Sequence, residues 1–555
     1  MATYRTPDVY IEETSTLPPS VAEVSTAIPA FLGYTELVTN PDGEDLIFVP
    51  TRINTLLDYI AIFGKQNQLT FTATANEANE LMSVEKDSAD QQHRLFYALD
   101  HYFKNGGGTC YVVSLGAYKA KAKADFSKGL EALEKEDEPT LIVLSEATTL
   151  PSLDYHNLCQ DALNQCEKLK DRFCIFDVLN DKDGVSNFRS IVNNNLKYGA
   201  AYYPFLQTSI VYQYDEKLVT VNGQSAATPT TKSFIYQNDV LKVEFTGPVD
   251  ATPTVEVVKG TTAGVTFAKD TSNKLTINLS SATADNTGTG IGDAWTAWGD
   301  AAASGFKVTV LEGTKKQAVL AVTSLTAVTP VAGSSPAKTL TAIRDTNTSL
   351  YNSIKAELAK MRIVLPSSPA VAGVYATVDR TRGVWKAPAN VALNSVVNPM
   401  IKISALEQET LNIDPDSGKS INAIRTFVGK GSLIWGARTL AGNDNEWRYI
   451  PVRRLFNMVE ESSKKASAFA VFEPNDPSTW LKVKGMLDSY LYGLWQQGAL
   501  AGSKPEAAYF VHVGLGKTMT QQDILEGRMI IEIGIAAVRP AEFIILRFSH
   551  KLQEA

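Results

Sequence analysis

Residues 443–498 read NDNEWRYIPVRRLFNMVEESSKKASAFAVFEPNDPSTWLKVKGMLDSYLYGLWQQG, and two helices can be drawn from them with start and stop signals. The first begins around Pro451, a residue suited to a helix's first turn. Leu455, Val459, Ser462, Ala466 and Phe469 fall at three- and four-residue steps, which predicts one buried stripe. The other face carries Arg453, Arg454, Asn457, Glu460, Glu461, Lys464 and Lys465. Glu460–Lys464 and Glu461–Lys465 stand four apart with the acid first. Such pairs add only about 0.2–0.5 kcal/mol each, so packing must hold this helix. The apolar run Ala468–Phe472 then meets the breaker Glu473-Pro474-Asn475-Asp476-Pro477. Asp476 is placed to cap a second helix, with Pro477 in its first turn. That helix buries Trp480, Val483, Leu487, Leu491 and Leu494 and stops at Gly498.

The chain has 555 residues, which points to about two to four domains. Apolar content of 44% and charged content of 20% are ordinary for a folded soluble protein. A net charge of −8 argues against a general nucleic-acid binder. The four cysteines (110, 159, 166 and 174) form no CxxC pair and read as small buried residues in a reducing compartment. Five histidines without HExxH or a Cys/His cluster give no metal site. The N-terminus MATYRTPDVYIEE lacks the apolar core of a secretory signal, and no run approaches the roughly 18 apolar residues of a membrane span. These features predict a protein kept in the cytoplasm, leaving by lysis or as part of a particle.

Residues 1–20 read as an arm. Asp8–Glu12 make a short strand isolated by Pro7, Pro18 and Pro19. Such a strand either frays or pairs with something outside its own domain. From about 21 to 214 strand-like and helix-like segments alternate. Cys110–Ser114, Thr140–Leu144, Phe173–Val178 and Ala200–Pro204 are buried strands; Asp125–Lys135, Leu153–Lys170 and Ser186–Leu196 are helices. The alternation predicts an α/β layer with parallel strands. Asn67–Gln91 is polar and acidic and reads as an exposed loop or a lone surface helix. Residues 215–345 turn rich in Thr, Ala, Val, Ser and Gly. The runs Val240–Phe245, Thr254–Val258, Leu275–Leu279 and Lys307–Leu311 predict an inserted β-sandwich or barrel-like domain. Leu350, Ile354, Leu358 and Met361 mark a helix returning the chain to the α/β layer, which 346–375 complete. A C-terminal α+β domain spans 376–555 and ends in two strands, around Ile531–Ile535 and Glu542–Phe548, separated by the break at Arg539-Pro540. The expected fold is therefore a multidomain α+β protein: an α/β layer, an inserted all-β domain and a C-terminal domain whose terminal strands can leave it.

Chemistry is thinly supported. Gly514-Leu515-Gly516-Lys517-Thr518 ends like a phosphate-binding loop, but the glycine the motif requires is Val511 here, so a turn with a solvated lysine is the better account. Asn105-Gly106-Gly107-Gly108 precedes a strand and reads as a tight turn. Asp177 ends a strand where α/β enzymes keep catalytic acids, yet no partner base or nucleophile accompanies it. No catalytic residue, cofactor site or metal ligand is assigned. Trp385, Trp435, Trp447, Trp480 and Trp495 read as core anchors; Arg380, Arg382 and Lys386 beside Trp385 are the one hint of a stacking platform for nucleic acid. The alternative from another class is an α/β enzyme carrying a C-terminal oligomerisation domain.

Several segments, in order, carry a resemblance. WRYIPVRRLFNMVEESSKKASAFAVFEPNDPSTW with LWQQGALAG, VDRTRGVWKAPAN (Val378–Asn390), INAIRTFVGKGSLIWGARTL (Ile421–Leu440), IIEIGIAAVRPAEFIILRF (Ile530–Phe548) and TPDVYIEE (Thr6–Glu13) resemble contractile tail sheath proteins; NGGGTCYVV (Asn105–Val113) is similar to a further family stretch. Such proteins occur in contractile-tailed phages, R-type bacteriocins and phage-tail-like injection systems. The resemblance covers both ends and skips the middle. It implies a helical homopolymer, assembled on a baseplate around an inner tube and finished by a terminator or cap protein. It implies no direct nucleic-acid partner and no membrane insertion. It implies strand exchange through the arm (Val9, Tyr10, Ile11) and the last strand (Phe543, Ile545, Phe548), with the inserted domain facing outward. It places inner-tube contact in the C-terminal domain, where Arg453, Arg454, Lys464 and Lys465 are the candidates. Their other reading is a solvated helix face, or pairing of the arginines with Glu460 or Glu461.

Overall fold

The computed structural model describes residues 21–76, 78–87, 93–222, 231–328 and 338–547. The chain divides into two compact units, one formed by 1–69, 88–213 and 359–555, the other by 70–87 and 214–358.

In the first unit the chain runs through β1 (Pro29–Thr35), β2 (Thr51–Ile53), α1 (Leu95–Lys104), β3 (Cys110–Ala117), α2 (Lys123–Leu133), β4 (Leu141–Val143), α3 (Ser152–Leu169), β5 (Phe173–Asp177), β6 (Gly199–Tyr203) and β7 (Leu206–Val211). After the second unit it continues through β8 (Arg362–Leu365), α4 (Ser368–Arg382), β9 (Val391–Ala392), β10 (Val396–Pro399), α5 (Ala405–Asn412), β11 (Ile421–Phe427), β12 (Gly431–Ile434), α6 (Ile450–Ser467), α7 (Pro477–Gln496), β13 (Tyr509–Val513) and β14 (Ile531–Ile535). A nine-stranded sheet has the order β2-β3-β1-β4-β5-β6-β11-β12-β9, with the run from β3 to β11 parallel. Its central strands are continuous apolar runs such as FCIFD because helices cover both faces. One face packs Phe126, Tyr155, Leu163, Phe176 and Phe188. The other packs Phe96, Tyr102, Val371, Tyr375 and Ile424. The parallel α/β layer read from the sequence is present, and it reaches further along the chain than expected. The sheet takes in β9, β11 and β12, and residue 376 falls inside α4, whose Val371, Val374, Tyr375 and Val378 are buried.

The second unit holds three four-stranded sheets, and two of them lie over one core of Phe234, Val243, Phe245, Val255, Val257, Leu275, Ile277 and Phe306. One sheet joins Phe306–Val310, Leu241–Pro248, Thr231–Gln237 and Thr326–Ala327; the other joins Thr266–Lys269, Lys274–Leu279, Thr254–Lys259 and Leu320–Ser324. The unit also includes two stretches beyond 215–345. The first is a hairpin, Phe71–Ala75 with Leu81–Lys86, inside the segment expected to be a loop or helix. Its buried Phe71, Ala73 and Ala75 alternate with polar residues, a period-two pattern carried mostly by small side chains. The second is the helix Thr348–Leu358. Leu350, Ile354 and Leu358 are buried as their spacing predicts, and the helix packs on strand Leu81–Lys86 of this unit.

Candidate assembly site

The two predicted helices form. Pro451 stands in the first turn of α6, and α7 is capped by Asp476, whose side chain accepts from the Thr479 amide at 2.9 Å, with Pro477 next. Gly498 takes a left-handed φ of 82° just past the end of α7, as a glycine stop signal requires. Leu455, Met458 and Val459 of α6 meet Val483, Leu487, Leu491 and Leu494 of α7, and Val511 of β13 closes this core. β13 and β14 pair antiparallel, Tyr509 opposite Ile535 and Val513 opposite Ile531. Among the described residues this sheet has two strands only, so each strand has an outer edge with unpaired N–H and C=O groups. A lone hairpin is marginal in water, and here the helices beneath it supply its support.

The polar face of α6 differs from expectation. Arg453 and Arg454 are buried with Asn457 and Glu461. The Arg454 guanidinium grips both carboxylate oxygens of Asp379 (Nη1–Oδ1 3.0 Å, Nη2–Oδ2 2.5 Å), donates to the Thr26 carbonyl at 2.9 Å and lies over the Tyr375 ring. Arg453 donates to Asn457 Oδ1 at 2.7 Å and Glu460 Oε1 at 2.8 Å, with its guanidinium 4.2 Å from the Trp447 ring centre. Asn457 in turn donates to the Arg172 carbonyl. Periodicity in apolar residues shows one face of this helix; the second face is buried against polar partners, which no hydropathy pattern displays. Lys464, its side chain 70% exposed, pairs with Glu461, and Lys465 pairs with Glu461 and Asp137. Phe469, expected in the apolar stripe, is exposed, as are Val471 and Phe472 in the turn before α7.

The described segments nearest the two ends of the chain meet α6 or the residue just before it. Val24 donates its amide to Ser462 Oγ at 3.1 Å, and the Thr26 hydroxyl donates to Asp379. The arm residues Val9, Tyr10 and Ile11 lie outside the described residues, as does Phe548. At the other end Glu542 meets Arg438, Asn412 and Tyr449, the residue that immediately precedes α6. Beyond it Phe543, Ile544, Ile545 and Leu546 are 65–80% exposed and form no strand pairing among the described residues. The sequence suggests a strand here that pairs outside its own subunit, and a strand needs a partner, which this stretch lacks among the described residues.

Two carboxylates are shifted in opposite directions. Asp177 is fully buried at the end of β5, and burial pushes its pKa up to about 6 against hydrogen bonds from the Ser368 amide (2.7 Å), the Ser368 hydroxyl and the Ser367 hydroxyl (3.0 Å). It thereby holds the first turn of α4. Burial alone would raise Glu542 as well, but the Arg438 guanidinium, then Asn412 and Tyr449, hold it below the usual carboxylate range. The Gly514–Thr518 stretch is a turn after β13, with Lys517 N donating to the Gly514 carbonyl at 3.2 Å.

Residues 442–551 match the family model of the phage tail sheath C-terminal domain. The tail sheath protein of Vibrio phage KVP40 is 23% identical over 185 residues, which is 33% of this chain. The chain spans about a quarter (26%) of that protein's length. Among solved structures, a chain of the anti-feeding prophage baseplate is 28% identical, with a TM-score of 0.55 over 99% of this chain and 100% of the other. The PVC sheath complex of an extracellular contractile injection system, in its contracted state, is 27% identical, with a TM-score of 0.54 over 100% and 99%. The chain is thus a mixed α/β multidomain protein whose fold is similar to known sheath structures. It is homologous to the contractile sheath proteins of phage tails and extracellular contractile injection systems.

Proposed function

We propose that this chain is the structural subunit of a contractile sheath, which polymerises helically around an inner tube and shortens to drive that tube through a target cell envelope. The observation that carries the reading is end-to-end similarity at 27–28% identity to chains from two contractile particles, one at its baseplate and one in its contracted sheath. The partners are further copies of the chain, an inner tube protein, a baseplate and a terminator or cap. Assembly takes place in the bacterial cytoplasm, and the particle is released by lysis.

The terminal segments are the connectors in this scheme. The exposed stretch Phe543–Leu546 and the N-terminal arm add as strands to open edges such as those of β13 and β14 in neighbouring copies. Each backbone hydrogen bond nets only about 0.5–1.5 kcal/mol, and a lattice repeats it at every subunit. Pro18-Pro19 and Pro540 flank the connectors, so folded bodies can turn while strands stay joined. The unit containing 231–328 faces outward as decoration. Arg453 and Arg454 hold α6 in place from inside, leaving Lys464 and Lys465 as its exposed cations toward an acidic tube.

Negative-stain electron microscopy of the full chain beside a variant lacking residues 1–20 tests the reading. Hollow cylinders lost on truncation are expected. Cylinders that persist would remove the arm from the scheme, and a small closed oligomer even with an inner-tube protein supplied would overturn the polymer itself.

A further inference from the structure

The surroundings of Glu542 form a receptor for a carboxylate, built from three separate stretches of chain. Arg438 is 3% exposed, and its guanidinium meets both oxygens of Glu542: Nε at 2.9 Å from Oε1 and 3.1 Å from Oε2, Nη2 at 2.7 Å from Oε2. Asn412 Nδ2, from the last residue of α5, donates to Oε1 at 2.8 Å. The Tyr449 hydroxyl donates to Oε2 at 3.2 Å.

The receptor is held rigid without the glutamate. Asn422 of β11 accepts from the Arg438 amide at 2.9 Å and donates to the Arg438 carbonyl at 2.8 Å. Arg438 and Tyr449 are bridged antiparallel, and the neighbouring Thr439–Arg448 and Ile450–Ala437 backbone bonds extend that ladder. The Arg438 Nη1 also points at the carbonyls of Asn412 and Gly442. A planar guanidinium fixed this way recognises one geometry, a carboxylate taken side-on. Glu542 is also the last residue of the described chain that is tied down. Upstream, Ala536 and Val538 are bonded beside the two-stranded sheet, to Ala508 and Ala499. Downstream, four consecutive apolar residues stand in solvent.

We infer that Arg438, Asn412 and Tyr449 are positioning residues: a clamp whose grip on Glu542 fixes where and in which direction the apolar tail Phe543–Leu546 leaves the subunit, and so presents it to a second copy of the chain. The clamp rests on the reading that this tail pairs with a neighbour. Mechanically, it routes any pull on the tail into the nine-stranded sheet through β11 and into the start of α6, bypassing the two-stranded sheet. Without it, the segment after Val538 is free to swing, and the entropy of that swing opposes docking.

The test uses the full chain at a concentration where no cylinders form. Spin labels are placed on Phe543→Cys and on Leu153→Cys, an exposed position on α3; the four native cysteines are buried and stay unlabelled. The parent is expected to give one narrow distance distribution, and the same pair carrying Glu542→Gln a broad one while the chain stays folded by circular dichroism. Tyr449→Phe, which removes one donor, falls between them. Unlabelled Glu542→Gln is then expected to lose cylinders at the concentration where the parent assembles. A distribution as narrow as the parent's overturns the clamp, and a broad one with unimpaired assembly overturns its part in presenting the tail. Deleting residues 543–555 separates the two ideas: cylinders that survive the deletion refute tail pairing, while the distances still decide whether Glu542 is clamped.

Discussion

The nine-stranded sheet and the β13–β14 hairpin are both β-structure in the same unit, and they are finished differently. The large sheet has helices on both faces, and its central strands present no free edge. The hairpin has helices on one face and two open edges. The first arrangement satisfies its backbone groups within the chain. The second leaves them available, which a monomeric protein avoids and a polymer uses. The contrast assigns stability to one region and association to the other, and each assignment can be broken by mutation.

The largest effect is expected in the large sheet. Phe176 of β5 is fully buried between sheet and helices. Phe176→Ala should cost about 3–5 kcal/mol of unfolding free energy, by loss of transfer energy and the cavity left behind. Ile533→Ala, on a half-buried position of β14, should cost roughly 1 kcal/mol. Urea unfolding followed by circular dichroism measures both. Equal costs would mean that the hairpin carries as much of the fold as the sheet does, and the division of labour would fail.

A smaller effect comes from the two shifted carboxylates, which predict opposite pH responses. The folded-state pKa of Asp177 is raised from 3.8 to about 6. The folded state therefore holds this proton more tightly than the unfolded state. Its contribution is full below about pH 4 and is lost as pH rises through about 6, on the order of 3 kcal/mol in all. Asp177→Asn should remove that slope while keeping an acceptor for the Ser368 amide. Glu542 is lowered from 4.5, so its contribution is present above that value and disappears as pH falls through the lower folded value. Thermal melts of the parent and the two single variants (Asp177→Asn, Glu542→Gln) across pH 2–8 read both slopes. Slopes of the same sign would contradict the hydrogen-bond geometry at one of the two sites.

How much of this was legible in the sequence follows from what hydropathy records. Runs such as FCIFD and CYVVSLGA declare buried parallel strands because nearly every residue is apolar. α7 declares itself through Asp476-Pro477 and a leucine stripe. The hairpin over 71–86 was hidden because FTATA buries small residues between threonines, a weak signal beside the acidic stretch that follows. The buried polar face of α6 was hidden because Arg454 finds Asp379 75 residues away, and charge spacing along one helix cannot reveal a partner on another. The clamp was hidden for the same reason: Glu542 is 104 residues from Arg438 and 130 from Asn412. The tail reads from sequence as a terminal strand able to leave its own subunit, and in the structure Phe543–Leu546 stand exposed; sequence records the capacity to pair and not the partner.

The smallest effect on stability should accompany the largest on assembly. Ile545 is 77% exposed and touches nothing that folding needs. Ile545→Asp should leave the unfolding free energy within about 0.5 kcal/mol of the parent. Docked in a neighbour, the same side chain would bring a carboxylate into an apolar contact, at a cost no surface strand recovers. The expected outcome is a protein with the parent's melting curve that forms no cylinders. If Ile545→Asp unfolds, the tail belongs to the subunit's own core and the open-edge account is wrong. If it melts and assembles like the parent, neighbours do not cover this face of the tail, and the contact must run through Phe543 or through the backbone alone.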